Sequence, residues 1–480
     1  MPVNDRPLLV ENETCWRIER ADRLSVIIDA ADFFRAAKQA LLKARHSVFL
    51  IGWDFDARIK FEPEGQTLDG PNSIGKFLNW IAKERSDLEV RILKWDVGML
   101  HSLGRGETPF FLLNWMTSGR VHLKLDGAHP AMAAHHMKLL VIDDALAFCG
   151  GIDMTTGRWD TREHLEERPG RRTPRGKPLG PWHDATSCVS GPAAEALADL
   201  ARRRWLRATG EAIDPLASDS DPWPEDLAID FRGIDIGIAR TEPEYKEFEQ
   251  VCEIEAATLA IIRSAERTLY IESQYFASRK ITEAIAERLA EPTGPEIVVV
   301  NPETADGWLQ AKVMDSARIR MMHLIAAADA RDRFRIYHPV NDSGSPIYVH
   351  VKIMIADDRI LKIGSANLNN RSMGYDTECD LVIEAPDGDE ATRTTIRSKR
   401  DGLLAEHLGQ PVEEVTATVS EVGGSLIRAI EDLNSRQRRL VALPMRPLTS
   451  AEEAFAESDV ADQERPTAMK TKLARFLRRT

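Results

Sequence analysis

Cysteine is scarce in this chain, five residues in 480, and no two stand in a CxxC arrangement. That excludes a disulfide framework, and no zinc site is expected. Cys149 and Cys188 lie in apolar, strand-like runs and read as buried thiols. Positive charge is also short: 63 Lys and Arg against 76 Asp and Glu leave a net charge of −13. A nonspecific nucleic-acid binder normally presents a basic face, so no nucleic-acid partner is expected. No apolar run approaches the length of a membrane span. The opening stretch MPVNDRPLLVENETCWRIER lacks a basic segment followed by an apolar one, so no cleavable signal peptide is expected. The chain reads as cytoplasmic or peripheral to a membrane, with signal-independent secretion left open. Its length admits two domains with sizeable cores.

What the chain does have is one pattern written twice. HMKLLVIDDALAFCGGID begins at His136, and HVKIMIADDRILKIGSAN begins at His350. In both, Lys follows His by two, Asp follows His by seven, and Gly follows that Asp by seven. Asp153 and Asn367 each follow their His by seventeen. The apolar, β-branched runs predict strands, with His136 and Lys138 on one face and His350 and Lys352 likewise. Asp143-Asp144 and Asp357-Asp358 break each run and predict a hairpin, so Asp143 and Asp357 are expected to hold the turn or orient Lys. The Gly turns that follow, Gly150-Gly151 and Gly364-Ser365, can bring backbone N–H groups close to an anion. Two His, two Lys and two amide or carboxylate side chains suit a phosphodiester: two Lys can neutralise its oxygens, one His can attack phosphorus, and the other can protonate the leaving oxygen.

H-x-K-x4-D, twice, each copy followed by G-G/S-x-N/D, resembles the phospholipase D superfamily. The stretch YVHVKIMIADDRILKIGSANLNNRSM is similar to the eukaryotic-type pattern almost residue for residue, and GGIDMTTGRWDTREH and PWHD add to the likeness. The resemblance covers most of residues 20–410 and implies an α/β fold: two tandem domains, each a mixed β-sheet flanked by helices, related by a pseudo-two-fold axis. It implies catalytic roles for His136, Lys138, His350 and Lys352, and phosphate contacts from Asp153, Ser365 and Asn367. Glu378, 28 residues after His350, stands where the superfamily places the carboxylate that orients its histidine. The first half has His164 at that offset, which cannot do this, so Asp184 of PWHD is assigned instead. The implied reaction is hydrolysis of a glycerophospholipid to phosphatidate and free headgroup through a phosphoryl-histidine. The resemblance admits transfer to alcohols as a side or main reaction, and implies no metal and no cofactor. The substrate would be met at a membrane surface, and no obligate protein partner is evident. The alternatives are a cardiolipin synthase-like phosphatidyltransferase, a nuclease and a non-catalytic lipid-binding module.

Along the chain, residues 30–45, 74–85 and 110–117 predict helices, and HSVFLIGWDFD, EVRILKWD and RVHLKLDG predict strands. Trp53 and Trp95 end two of these strands and read equally as rim of the cleft and as core. Residues 158–182 read as a long loop with a basic cluster, Arg168, Arg171, Arg172, Arg175 and Lys177, able to attract anionic headgroups. HDATSCVS predicts a strand, followed by a Gly-Pro turn and a helix. A Pro- and Asp-rich linker near 211–226 separates domains at 1–215 and 225–440. In the second half, 247–266 predicts a helix, and TLYIESQYF, EIVVVNPE and RFRIYHPV predict strands in the same order. Residues 411–450 look helical. The tail 451–480 is acidic and then basic and reads as disordered, with Leu473, Phe476 and Leu477 at helical spacing.

Overall fold

A computed structural model describes residues 7–96, 119–217, 219–434 and 437–449. The helix expected at 110–117 and the tail at 451–480 lie outside them. The strands of the first half are β1 (Arg17–Ile28), β2 (Ser47–Gly52), β3 (Glu89–Trp95), β4 (Val121–Asp126), β5 (Leu139–Ile142), β6 (Leu146–Gly150), β7 (Trp182–His183) and β8 (Ala185–Ser190). Those of the second are β9 (Phe231–Glu242), β10 (Val251–Cys252), β11 (Thr268–Ser273), β12 (Glu296–Val300), β13 (Phe334–Val340), β14 (Tyr348–Val349), β15 (Lys352–Ala356), β16 (Ile360–Gly364), β17 (Glu378–Glu384) and β18 (Arg439–Ala442).

One mixed sheet runs through both halves. Outward from its centre the first half reads β1, β8, β6, β5, β2, β3, β4, and the second reads β9, β17, β16, β15, β11, β12, β13. The two lists match strand for strand, which is the pseudo-two-fold relation expected from the duplicated motif. β2, β3 and β4 are parallel, as are β11, β12 and β13, and an antiparallel hairpin joins each trio to the centre. The parallel strands are continuous apolar runs such as EIVVV because helices cover both faces of the sheet. On one face Trp205, from the helix Pro192–Thr209, and Leu404, from the helix Glu390–Leu408, share a core with both halves.

The centre of the sheet was not foreseen. β1 and β9 are twelve residues each and pair antiparallel, so the halves share one sheet. RIERADRLSVII carries charges at its start that disguise a strand. Arg17, Arg20 and Arg23 pair with Asp199, Asp235 and Asp221, partners that only the fold brings near. Two further expectations change. The helix predicted over 247–266 spans Glu253–Ser264, with β10 before it. The stretch 411–450 is helical only at Val412–Glu421 and Leu426–Leu433, then extends as β18 along the edge of β13.

Both hairpins turn on two aspartates with left-handed backbone, Asp143 and Asp144 at φ 53° and 54°, and Asp357 and Asp358 at 52° and 54°. The turns are closed by the N–H of Ala145 on Ile142 C=O and of Arg359 on Ala356 C=O, and positive φ at both central positions gives them a twist that matches that of the strands. Asp143 accepts the N–H groups of Arg45, His46 and Ser47 at 2.8, 2.7 and 2.9 Å. Asp357 does the same for Glu266, Arg267 and Thr268 at 2.6, 2.7 and 2.9 Å. Each carboxylate therefore clamps its hairpin to the loop that enters β2 or β11. Asp143→Gly keeps the turn but removes the charged acceptor shared by three N–H groups, that of Ser47 buried, so it should cost about 3 kcal/mol. Asp143→Asn keeps one acceptor oxygen and should cost about half as much. Denaturant unfolding of both variants checks this, and a wild-type midpoint for the glycine variant would contradict it.

Candidate active site

The motif histidines do not lie within the strands where the periodicity puts them. β5 begins at Leu139 and β15 at Lys352, and just before each the chain leaves the main sheet to bridge the opposite half. β14 pairs in parallel with β7, Tyr348 against Trp182 and Val349 against His183. His350 N–H then donates to His183 C=O at 2.8 Å. The pseudo-symmetric bridge joins His135 to Thr377, and His136 N–H donates to Thr377 C=O at 3.0 Å. These bridges set each histidine beside the residue that follows its partner: Asp184 after His183, Glu378 after Thr377.

The carboxylates are therefore exchanged between halves. His136 Nδ1 lies 2.9 Å from both oxygens of Glu378, and His350 Nδ1 lies 2.7 Å from Asp184 Oδ2. The sequence pattern assigned each carboxylate to the histidine of its own half, and the structure corrects that pairing. Ser365 and Ser372 hydroxyls donate to Glu378 at 2.5 and 2.7 Å and fix its plane. Asp184 accepts the backbone N–H of Ala185 at 2.8 Å.

Lys138 Nζ donates to His136 C=O at 2.6 Å and lies 3.3 Å from Asp153 Oδ2. Lys352 donates to His350 C=O and lies 3.2 Å from His350 Nδ1 and 3.4 Å from Gln274 Oε1. Burial holds both motif imidazoles well below the usual histidine value, helped by Lys138 and Lys352 at His136 and by Lys352 and Arg158 at His350, so each free ring is uncharged at neutral pH. Burial pushes Glu378 up to about 8 against the pull of Lys138 and the two serines. For Asp184 burial is outweighed by His350 and Lys352, and its carboxyl is held down at about 2. Burial brings Lys352 down to about 7, with Lys138 adding to the shift and Asp184 opposing it. His136 keeps 16% of its side-chain exposure and His350 6%, so His136 is the more open to a ligand.

The three expected phosphate contacts fare differently. Ser365 has no exposed surface and its hydroxyl is committed to Glu378, so it supports the carboxylate instead of facing the cleft. Asp153 accepts the N–H groups of Trp53 and Asp54 at 3.0 and 3.3 Å and pairs with Lys138, so it positions the lysine. Asn367 is buried and its Oδ1 has no hydrogen-bond partner. The glycine turns do not offer N–H groups to an anion: those of Ser365 and Ala366 donate to Asp380, and that of Gly151 to Ala185. The glycines are there because strands approach closely. A Cβ at Gly151 would stand 2.4 Å from Asp184 Oδ1, and one at Gly364 2.1 Å from Asp380 Oδ1.

Trp53 and Trp95 are half-buried and stacked on each other, ring centres 5.9 Å apart. The expected basic cluster is reduced, because Arg171 is buried on Asp160 at 2.8 Å and Arg168 pairs with Glu64 at 2.8 Å. Arg172, Arg175 and Lys177 remain exposed. Residues not anticipated are Trp182, Tyr348, Gln274 and Arg158. The Trp182 ring stacks on Tyr348 at 4.6 Å and lies 5.1 Å from His350, with the Arg158 guanidinium over it at 4.2 Å. Trp182 stands in PWHD and Arg158 in GRWD, so the quoted motifs held the signal for both.

The site should titrate from the alkaline side. Lys352 is cationic below about pH 7 and neutral above it. Turnover of a soluble phosphodiester, as kcat/KM, should fall about tenfold per pH unit above that point. The limb in kcat should lie higher, because a bound anion returns the proton to lysine. A kcat/KM profile flat from about pH 7 to 9 would count against a cationic Lys352 in the cleft.

Comparison with known proteins agrees with this geometry. A family model described as "Phospholipase D" matches residues 40–283, half of the chain, and one described as "Cardiolipin synthase, PLD-like domain" matches residues 258–397. Phospholipase D alpha 4 of Arabidopsis thaliana is 22% identical over 82% of this chain and 66% of its own length. Phospholipase D alpha 1 of Carica papaya is 25% identical over 77% of this chain and 63% of its own. The chain thus spans a little under two thirds of these relatives. The crystal structure of phosphatidylserine synthase from Haemophilus influenzae superposes with a TM-score of 0.53 at 11% identity, covering 86% of this chain and 97% of that one; the likeness is one of fold. With two His-Lys motifs at matching places in a pseudo-symmetric sheet and a family model matched over half its length, the chain belongs to the phospholipase D superfamily.

Proposed function

We propose that this chain is a phosphodiesterase of the phospholipase D type that cleaves glycerophospholipids to phosphatidate and a free headgroup. The observation that carries the reading is the pair of motif imidazoles, each backed at Nδ1 by a carboxylate from the opposite half. With Nδ1 held, Nε2 of each ring is the atom left for chemistry. His136 Nε2 attacks phosphorus, the P–N bond forms, and the P–O bond to the headgroup breaks. His350, whose ring takes up a second proton when the negative phosphodiester binds, donates it from Nε2 to the departing alkoxide. Water then attacks, gives a proton to His350, and the P–N bond breaks. Lys138 and Lys352 meet the non-bridging oxygens, where charge grows in the transition state. The negative phosphodiester also raises the proton affinity of His350, which burial and Lys352 otherwise depress.

A transferase in which an alcohol replaces water uses the same two steps. The match of residues 258–397 to a model described as "Cardiolipin synthase, PLD-like domain" favours keeping it as the second reading. Mass spectrometry of mixed phospholipid vesicles after incubation decides between them. Phosphatidate in buffer supports hydrolysis. Product that appears only with an added alcohol, such as ethanol or a glycerol-bearing lipid, supports transfer. No new lipid under either condition, with a nucleic-acid substrate cleaved instead, would overturn both.

The exchanged carboxylates add a sharper expectation. A headgroup alkoxide needs protonation and p-nitrophenolate barely does. His350→Ala should lose about 10²–10⁴-fold on a phospholipid and far less on a p-nitrophenyl diester. Asp184→Asn should follow that selective pattern, although it lies in the first half. His136→Ala and Glu378→Gln should lose both activities alike, and trapped phosphate should map to His136. Phosphate found on His350 would reverse the two roles.

A further inference from the structure

A second group of titratable side chains lies behind Asp184, outside the cleft and unused by the chemistry above. Asp29 stands just after β1, His164 in the loop 158–182, His183 in β7, and Glu406 in the helix Glu390–Leu408. All four are buried, and one ligand atom from each lies within 4.8 Å of all the others. We infer that Asp29, His164, His183 and Glu406 form a site for one divalent transition-metal ion, zinc by the nature of its donors, which fastens the two halves together behind Asp184.

The nitrogen-to-carboxylate separations bracket those of a tetrahedral zinc site. His183 Nδ1 and His164 Nε2 lie 2.8 and 3.0 Å from Glu406 Oε1. His183 Nδ1 lies 3.2 Å from Asp29 Oδ1, and His164 Nε2 lies 3.5 Å from Asp29 Oδ2. Bonds of about 2.0–2.1 Å to zinc place tetrahedral donors about 3.3 Å apart. The second nitrogen of each ring already has the support that metal-bound histidines use. His164 Nδ1 lies 3.0 Å from Asp160 Oδ2, and His183 Nε2 lies 2.9 Å from Glu272 Oε2.

A separate observation points to a missing partner. Asp29 Oδ1 accepts the N–H of Asp184 at 3.1 Å, while its buried Oδ2 accepts no hydrogen bond and faces the cluster. Without a cation, every ring nitrogen of His164 and His183 faces a carboxylate oxygen, so both rings must carry two protons. One divalent ion among neutral rings supplies the same charge and uses the open oxygen as well. Two imidazoles with two carboxylates suit zinc better than calcium or magnesium, which take oxygen. Glu406 also lines a cavity of about 1040 Å³ with Asp32, Arg162 and Arg438. The ligands are spread from residue 29 to 406, so no spacing in the sequence announces them.

The test uses the full chain, stripped with a strong chelator, reloaded with zinc chloride and desalted. Elemental analysis should find about one zinc per chain. The melting temperature should rise by several degrees on reloading. X-ray absorption at the zinc edge should show nitrogen and oxygen ligands with two imidazoles and no sulfur. Glu406→Gln should lose the metal. Glu272→Gln leaves all four donors in place and should weaken zinc binding about 10–100-fold. If a variant fails to fold, the absorption spectrum of the wild type still decides. Under a tenth of a zinc per chain with no thermal shift would overturn the site and leave two protonated imidazoles in an ion network. A spectrum with sulfur ligands would overturn it too, as would unchanged zinc in both variants.

Discussion

Each motif histidine is held by a carboxylate from the other half, and the surrounding structure is arranged to make that exchange possible. Two backbone hydrogen bonds do the placing, His350 N–H to His183 C=O and His136 N–H to Thr377 C=O. They are made by short excursions from the main sheet, so the imidazoles leave the strands that precede and follow them. Neither half alone contains a histidine together with the carboxylate that meets it. The cleft is therefore a property of the assembled pair, which is why the halves share one sheet through β1 and β9 instead of being joined by a linker alone.

The arrangement buries ionisable groups whose charged forms would otherwise cost several kcal/mol each. Lys138, Lys352, Glu378 and Asp184 keep almost no exposure. They are tolerable because each has a partner: backbone carbonyls for the lysines, serine hydroxyls and imidazole for Glu378, imidazole and an N–H for Asp184. Low polarity around the site is what makes the imidazoles neutral and Lys352 soft. The group around His183 and Glu406 lies directly behind Asp184, which accepts the N–H of Asp29 and donates its own to the Asp29 carboxylate.

The duplicated spacing made the fold class, the hairpins and the His-Lys pairs legible, because those features depend on residues close in sequence. The same reading misplaced Ser365 and the glycine turns. Gly364 looks like an anion-binding turn, yet its missing Cβ makes room for Asp380 on the next strand. Asp143 and Asp357 could have oriented the lysines, but their oxygens face the N–H groups of loops about ninety residues earlier. β1 and β9 escaped notice because their charged residues are neutralised by partners far along the chain.

By itself the sequence determined what is local: which runs become strands, where the aspartate turns fall, and that two histidines and two lysines recur at one spacing. Period-two burial and turn chemistry act within a few residues, so a linear reading reaches them. Only the tertiary structure decided which carboxylate serves which histidine, which serine supports and which amide stays open, and that Asp29, His164, His183 and Glu406 meet. Those outcomes depend on a symmetric pairing between segments hundreds of residues apart. Hydrogen-bond partners at that separation are chosen by sheet register, which no spacing along the chain encodes.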